Sequence, residues 1–356
     1  MFDSLHFCFK PPARNFLLFL VLGSPLCAQE SEVPQIQSWS LSTGSVIAYR
    51  HVAAARPARE APVVFLHGGP GAFIVDHDAT SEAFFRALAK EHFEVYLYDQ
   101  AGSGHSVRLS DPRQYSVDRA VADLEAIRRL LKAEKLILIG DSWGATLAAS
   151  YMAENPGHCA KVVFTSPGAI ENSAPPGNKV DENSATAREV AAWTRDFNGR
   201  HHRALALLDH DPKAAHDLLP DTVADAEFDE LLRRLLPTLI CNRSISATGN
   251  VRGMGWWVNT MISRDLTTRE RNTSTKLRRD HTPALILRGG CDYMQWEVAR
   301  RYRSVLPNST LLHIPNAGHW MDFDQPEVFS SAIRAFLLDR PLPLNPYTMD
   351  SAPPRN

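Results

Sequence analysis

The chain has 356 residues, 44% hydrophobic and 22% charged, which excludes a disordered or fibrous protein. Its formal net charge of −2 lacks the basic excess of a nucleic-acid surface, so no nucleic-acid partner is expected. At this length one large domain carrying an insertion and two equal domains are comparable expectations.

The amino terminus reads as a leader. Lys10 and Arg14 precede the short apolar run Phe16 to Leu22, and Ser24, Pro25, Leu26, Cys27 and Ala28 follow. Charge, short apolar core and small residues in that order predict a secretory signal peptide over 1–28, cleaved after Ala28. A membrane anchor fits less well, because a spanning helix needs roughly 20 apolar residues. A lipid-modified Cys27 fits poorly with bulky Leu26 before it. The mature chain is therefore expected to be exported, periplasmic or secreted, without a stable membrane span. Removal of the leader leaves Cys159, Cys241 and Cys291. A Cys241–Cys291 bridge is an option, but three buried thiols is the expectation. No cysteine pair has metal-site spacing, and no metal is expected.

Residues 35–53 read as two strands around the turn Ser42-Thr43-Gly44-Ser45. Short apolar runs then mark buried strands: Val63–Leu66, Phe93–Tyr98, Lys135–Ile139, Lys161–Thr165, Ala284–Leu287 and Thr310–Ile314. Helical patterns separate them over 80–91, 143–154, 294–306 and 325–339. Another starts at Ser116, a plausible N-cap, with Val121, Leu124, Ile127 and Leu131 on one face. Strand and helix in alternation predict an α/β fold, a mostly parallel central sheet flanked by helices. The core is expected over 35–168 and 283–340. The alternation breaks at 169–282, a polar, helix-rich stretch that reads as an inserted cap. The proline-rich end, 341–356, reads as a loose tail.

The candidate chemistry falls at the carboxyl ends of the strands, where open α/β sheets keep their sites. Gly140-Asp141-Ser142-Trp143-Gly144 lies between an apolar strand and a helix. The G-x-S-x-G spacing permits a sharp turn that lifts a serine hydroxyl out of the sheet at a helix N-terminus. Serine needs a base, and His319 in Asn316-Ala317-Gly318-His319-Trp320 stands in the loop after the last strand. The other histidines, His201 and His202 among them, read as surface or helix residues. Asp292, after Ala284–Gly290, is the carboxylate that would orient the base. Its bland alternative is a helix N-cap. His67-Gly68-Gly69-Pro70-Gly71 directly follows a strand and can present bare N–H groups, so Gly69 and Trp143 are the candidate oxyanion donors. An aspartate nucleophile, as dehalogenases and epoxide hydrolases use, is disfavoured by Ser142 at the elbow.

Three segments together carry a family resemblance: His67-Gly68-Gly69-Pro70-Gly71, then Asp99-Gln100-Ala101-Gly102-Ser103-Gly104-His105-Ser106, then Gly140-Asp141-Ser142-Trp143-Gly144. Over about 60–168 and again over 283–340 the chain resembles the proline iminopeptidase (prolyl aminopeptidase) family of α/β-hydrolases. The resemblance implies the α/β-hydrolase fold and a serine hydrolase that removes an N-terminal residue such as proline from short peptides. It implies no cofactor, a catalytic set of Ser142, Asp292 and His319, oxyanion donors Gly69 and Trp143, and substrate contacts at Gly68, Pro70 and Gly71. Asp141 stands where the family usually has glycine, and Ala101 where it has arginine. The family's cap glutamate in Trp-x-x-Trp-Glu is matched only by Trp193-Thr194-Arg195-Asp196-Phe197, with Phe197 at the glutamate and Asp196 one position off as the candidate amine contact. An ammonium without a partner in a closed pocket is costly. The alternatives are therefore an esterase or lactonase on small acyl substrates, whose cap could be lined by Leu231, Leu232, Leu235, Trp256 and Trp257, and a non-catalytic binding protein on the same scaffold.

Overall fold

The alternating strands pair as the sequence pattern requires. The computed structural model describes residues 35–59, 61–77, 79–171, 184–195, 199–241 and 251–353. The leader expected over 1–28, and Asp196 and Phe197, lie outside the described residues. Two strands, β1 (Gln37–Ser40) and β2 (Val46–Val52), form the hairpin expected around Ser42–Ser45. Then come β3 (Val63–Leu66), α1 (Ala79–Lys90), β4 (Val95–Tyr98), α2 (Val117–Leu130), β5 (Leu136–Asp141), α3 (Trp143–Glu154) and β6 (Cys159–Thr165). After the inserted segment follow β7 (Ala284–Gly289), α10 (Trp296–Val305), β8 (Ser309–Ile314), the short α11 (Met321–Asp324) and α12 (Pro326–Leu337).

The sheet order is β1-β2-β4-β3-β5-β6-β7-β8. The β1–β2 and β2–β4 pairs are antiparallel, and every later pair is parallel. Successive strand residues face opposite sides, and both sides are covered. Val64, Leu66, Leu138, Val162, Phe164, Ile286 and Leu311 point toward α2, α3 and α10. Val63, Ile137, Ile139, Val163, Leu285, Leu287 and Leu312 point toward α1 and α12, meeting Phe85, Leu88, Phe329 and Ile333. Burial of each such side chain contributes about 1.5–3 kcal/mol. Ser116 caps α2 as expected, accepting a 3.1 Å hydrogen bond from the Arg119 N–H.

Between β6 and β7 every described element is helical: α4 (Ala185–Arg195), α5 (Gly199–Leu208), α6 (Pro212–Leu218), α7 (Asp221–Leu239), α8 (Trp256–Thr268) and α9 (Thr273–Leu277). Trp256 and Trp257 are buried, with rings crossing at 76° and centroids 4.7 Å apart. Leu231 is buried, and Leu232 and Leu235 pack against the same cluster. These residues are core of the helical segment.

Two expectations change. Cys241 and Cys291 form a disulfide, so three thiols was wrong; among the described residues Cys159 alone stays free, and it is buried. The spacing of 50 residues gave no hint that the end of α7 returns beside β7. The carboxyl-terminal segment, expected to be loose, is tied down. The Tyr347 N–H donates to the Leu311 carbonyl at 2.7 Å, Trp296 Nε1 donates to the Asp350 carbonyl at 3.0 Å, and Arg303 binds the Tyr347 carbonyl at 2.8 Å.

Candidate active site

The strand β5 ends one residue before Ser142, and α3 begins one residue after it. Ser142 adopts φ +52° and ψ −114°, a strained conformation for a residue with a side chain. The surrounding backbone holds it there. The Ser142 N–H donates to the Thr165 carbonyl at 2.9 Å, and its own carbonyl accepts from Gly168 at 2.9 Å and Ala145 at 3.0 Å. The turn is tight enough that a Cβ on Gly144 would run into the Leu66 carbonyl, and one on Gly140 into the Gly144 carbonyl. This is why glycine is required on both sides.

His319 and Asp292 come from the loops after β8 and β7. His319 Nδ1 donates to Asp292 Oδ1 at 2.8 Å, and the two side chains are 4% and 0% exposed, so the pair is shielded from screening by water. The Met294 N–H donates to the same Asp292 oxygen at 3.0 Å. Ser166 Oγ donates to the His319 carbonyl at 2.7 Å and ties the histidine loop to the end of β6. Burial disfavours the charged form of each partner, but their mutual attraction outweighs it. Asp292 is held below the usual carboxylate range by the His319 charge and hydrogen bond, aided by Arg288. His319 is raised above its ordinary value by Asp292 and, secondarily, by Asp141.

Asp141, one residue before the serine, is a second carboxyl in this cluster. Thr165 Oγ1 donates to its Oδ1 at 2.8 Å. Burial pushes it up to about 6, while His319 and the Thr165 bond pull the other way and Asp292 adds to the rise. Tyr293 packs against the base, its ring centroid 4.5 Å from that of His319 and tilted at 45° to it. Ser142 follows Asp141, whose carboxyl interacts with the His319 ring, so the loops after β5, β7 and β8 meet at one place.

The loop after β3 is fixed by a polar network. His67 Nε2 accepts from the Gln100 N–H at 2.9 Å, and its Nδ1 donates to the Gly68 carbonyl at 3.0 Å. Burial lowers His67 from its ordinary value, consistent with a neutral ring that accepts at one nitrogen and donates at the other. Gln100 Nε2 donates to the His67 carbonyl at 3.1 Å, and Trp143 Nε1 donates to Gln100 Oε1 at 2.8 Å. Gln100 therefore joins the two candidate oxyanion donors, Gly69 and Trp143, through their neighbours. The Trp143 N–H opens α3 and has no acceptor within that helix.

Gly68, Pro70 and Gly71 are placed differently from one another. A Cβ at Gly68 would stand 3.1 Å from both Ser142 Cβ and Asp141 Oδ2, so Gly68 does border the nucleophile. Pro70 and Gly71 meet the helical segment instead. The Pro70 carbonyl accepts from Asn259 Nδ2 at 2.9 Å, and the Gly71 carbonyl accepts from the Gly255 N–H at 2.7 Å. The segment is anchored there by two buried acids on α7. Asp225 accepts from the Trp256 N–H at 2.9 Å and pairs with Arg108 at 2.9 Å. Asp229 accepts from the Met254 N–H at 2.9 Å and the Gly253 N–H at 3.1 Å.

Sequence reasoning missed Tyr293, Arg288 and Gln100. Arg288 is 7% exposed, donates to the Met294 carbonyl at 2.9 Å and braces the turn that carries Asp292. Gln100 stands in one of the segments that carry the family resemblance and Tyr293 is next to Asp292, which are the signals that could have flagged them; Arg288 had none. Among the described residues no cluster of histidine, cysteine and acidic side chains is suited to a metal ion.

The α/β hydrolase fold family is matched over residues 61–326. The chain belongs to that family. Among curated relatives, this α/β-hydrolase is similar to a proline iminopeptidase of Heyndrickxia coagulans, 27% identical over 295 residues that cover 78% of this chain and 90% of the relative. Solved structures share its fold. A meta-cleavage product hydrolase from Pseudomonas fluorescens IP01 superposes with a TM-score of 0.61 at 17% identity, over 86% of this chain and 98% of that one. An esterase from Exiguobacterium antarcticum gives 0.57 at 17% identity, over 85% and 100%.

Proposed function

We propose that this α/β-hydrolase is a serine exopeptidase that releases an N-terminal residue of the proline type from short peptides through an acyl-enzyme. The observation that carries the reading is Ser142 on a positive-φ elbow, beside a buried His319–Asp292 pair joined at 2.8 Å. Ser142 Oγ attacks the carbonyl carbon as His319 Nε2 takes its proton. Asp292 keeps the proton on Nδ1 and stabilises the imidazolium. The Gly69 and Trp143 N–H groups stabilise the oxyanion, and the network through Gln100 fixes their positions in advance. His319 returns the proton to the leaving amine, and water then frees the acyl group. The likeness to proline iminopeptidases over most of the chain supports an amide substrate with a free amine.

One observation favours a second reading, an esterase or lactonase on small acyl groups. The buried acids of the helical segment, Asp225, Asp229 and Glu171, are engaged with backbone N–H groups or arginines. Amine recognition would then need a different acid, such as Asp196 or a neighbour; Asp196 lies outside the described residues. We further propose that the enzyme is exported, a reading supported by the Cys241–Cys291 disulfide, which persists in oxidising compartments.

The test compares three substrates: a proline amide with a free amine, the same amide with the amine blocked, and a short-chain ester. Preference for the free amine is expected. Ester turnover without amide turnover would replace the exopeptidase reading by the esterase one.

A further inference from the structure

The end of α7 returns to the two loops that carry the acid and the base, and one carboxyl oxygen joins them. Asp324, the last residue of α11, accepts the Gly318 N–H and the Cys241 N–H at its Oδ2, each at 2.7 Å. Gly318 directly precedes His319, and Cys241 stands just past the end of α7. The peptide between Ala317 and Gly318 is therefore held at both of its polar ends. Its N–H goes to Asp324, and its carbonyl accepts from the Cys291 N–H at 2.9 Å. Cys291 is itself bonded to Cys241. On the other flank of His319, the Trp320 N–H donates to the Leu239 carbonyl at 3.1 Å, and a Cβ on Gly318 would run into that same carbonyl. Asp324 is set by its own short helix, its N–H donating to the Trp320 carbonyl at 3.3 Å.

We propose that Asp324 is a positioning residue for His319, fixing the peptide that leads into the base and locking it to the end of α7. The inference rests on the reading above, in which His319 is the base. The Asp292 bond orients the imidazole ring but does not place the backbone that carries it. Glycine has no side chain to limit its backbone, so the course of the chain into His319 depends on what holds the peptide at Gly318. Proton transfer from Ser142 Oγ to His319 Nε2 needs the ring in one place, and a displacement of about 1 Å can cost on the order of a hundredfold in rate. Asp324 supplies the fixed point. Because the same oxygen holds Cys241, a shift at the end of α7 reaches the base loop through a single atom.

Asp324→Ala removes the shared acceptor, and Asp324→Asn keeps an oxygen able to accept both bonds. Asp324→Ser, which admits water to the two N–H groups, replaces the alanine variant if that one does not fold. Two readouts separate positioning from stability. The first is turnover of a proline nitroanilide and of an activated nitrophenyl ester, well below the melting temperature. In Asp324→Ala kcat is expected to fall on the order of ten- to a hundredfold with KM within about twofold, and Asp324→Asn should stay within about threefold of wild type. The second readout needs no substrate. The proton on His319 Nδ1, shared with Asp292, gives a far-downfield proton resonance, assigned by its loss in His319→Ala. It should broaden or shift in Asp324→Ala and stay in place in Asp324→Asn. A lower melting temperature with kcat and resonance unchanged would reduce Asp324 to a stabilising contact and overturn the proposal, as would a rise in KM alone. If His319→Ala turns over substrate as fast as wild type, the base reading itself fails, which is a separate and distinguishable result.

Discussion

Where the elbow meets the sheet, backbone presses on backbone: Gly144 lies against the Leu66 carbonyl, and Ser142 is hydrogen-bonded to the ends of both neighbouring segments. The helical segment reaches the loop after β3 through both backbone and side chains. It touches Pro70 and Gly71 through one side chain and one N–H, and two carboxylates on α7 hold those contacts in place. Close backbone packing leaves no room for a different side chain, so the candidate chemistry is fixed where the strands end. The helical segment also has one tight backbone contact, where a Cβ on Gly71 would run into the Gly255 carbonyl, but Asn259, Asp225 and Asp229 hold it through side chains, which can be exchanged without disturbing the elbow.

The largest effect that separates the two regions is expected at Ser142. Ser142→Ala should fold normally by thermal melting and lose turnover by about a thousandfold or more. Residual activity above that level would move the nucleophile elsewhere. Next is Gly144→Ala, whose Cβ has no space beside Leu66. It should lower stability by about 3 kcal/mol, read as a reduced melting temperature or insoluble protein. A stable, active variant would show that the elbow is more yielding than its packing implies. On the cap side, Asp225→Ala strands the Trp256 N–H and Arg108, and should cost about 1–3 kcal/mol. It should alter KM and substrate preference more than the rate of Ser142 acylation by an activated ester. Equal damage to both would erase the distinction between scaffold and cap.

The smallest expected effect is on the pH profile. Neutral His319 is the base, and its raised pKa means that the neutral form is reached only at higher pH. Activity should therefore fall on acidification with a midpoint above the ordinary histidine value of about 6.5. Asp141 contributes to that rise, so Asp141→Asn should move the midpoint down. A midpoint that stays put would show that Asp292 alone sets the base.

The sheet was readable because each buried strand is a short apolar run ended by glycine or a polar turn, as at Val63–Leu66 and Ala284–Gly289. Gly140 and Gly144 announced the elbow because the turn admits no side chain there. His319 and Asp292 were readable from position alone, each in the loop after a strand. Tyr293, Gln100 and Arg288 were not, because their roles depend on distances between chain-remote loops that periodicity does not encode. The same holds for Cys241 and Cys291, which pair only because α7 ends beside the Asp292 loop. Pro70 and Gly71 looked like substrate contacts from their place beside Gly69, yet their carbonyls are taken by Asn259 and Gly255.

The most direct test of the account is covalent labelling with a fluorophosphonate, which reacts with a serine activated by a neighbouring base. One adduct per chain is expected, mapped by peptide mass to Ser142, lost in Ser142→Ala and suppressed in His319→Ala. A label on another residue, or none on the folded wild-type protein, would contradict it.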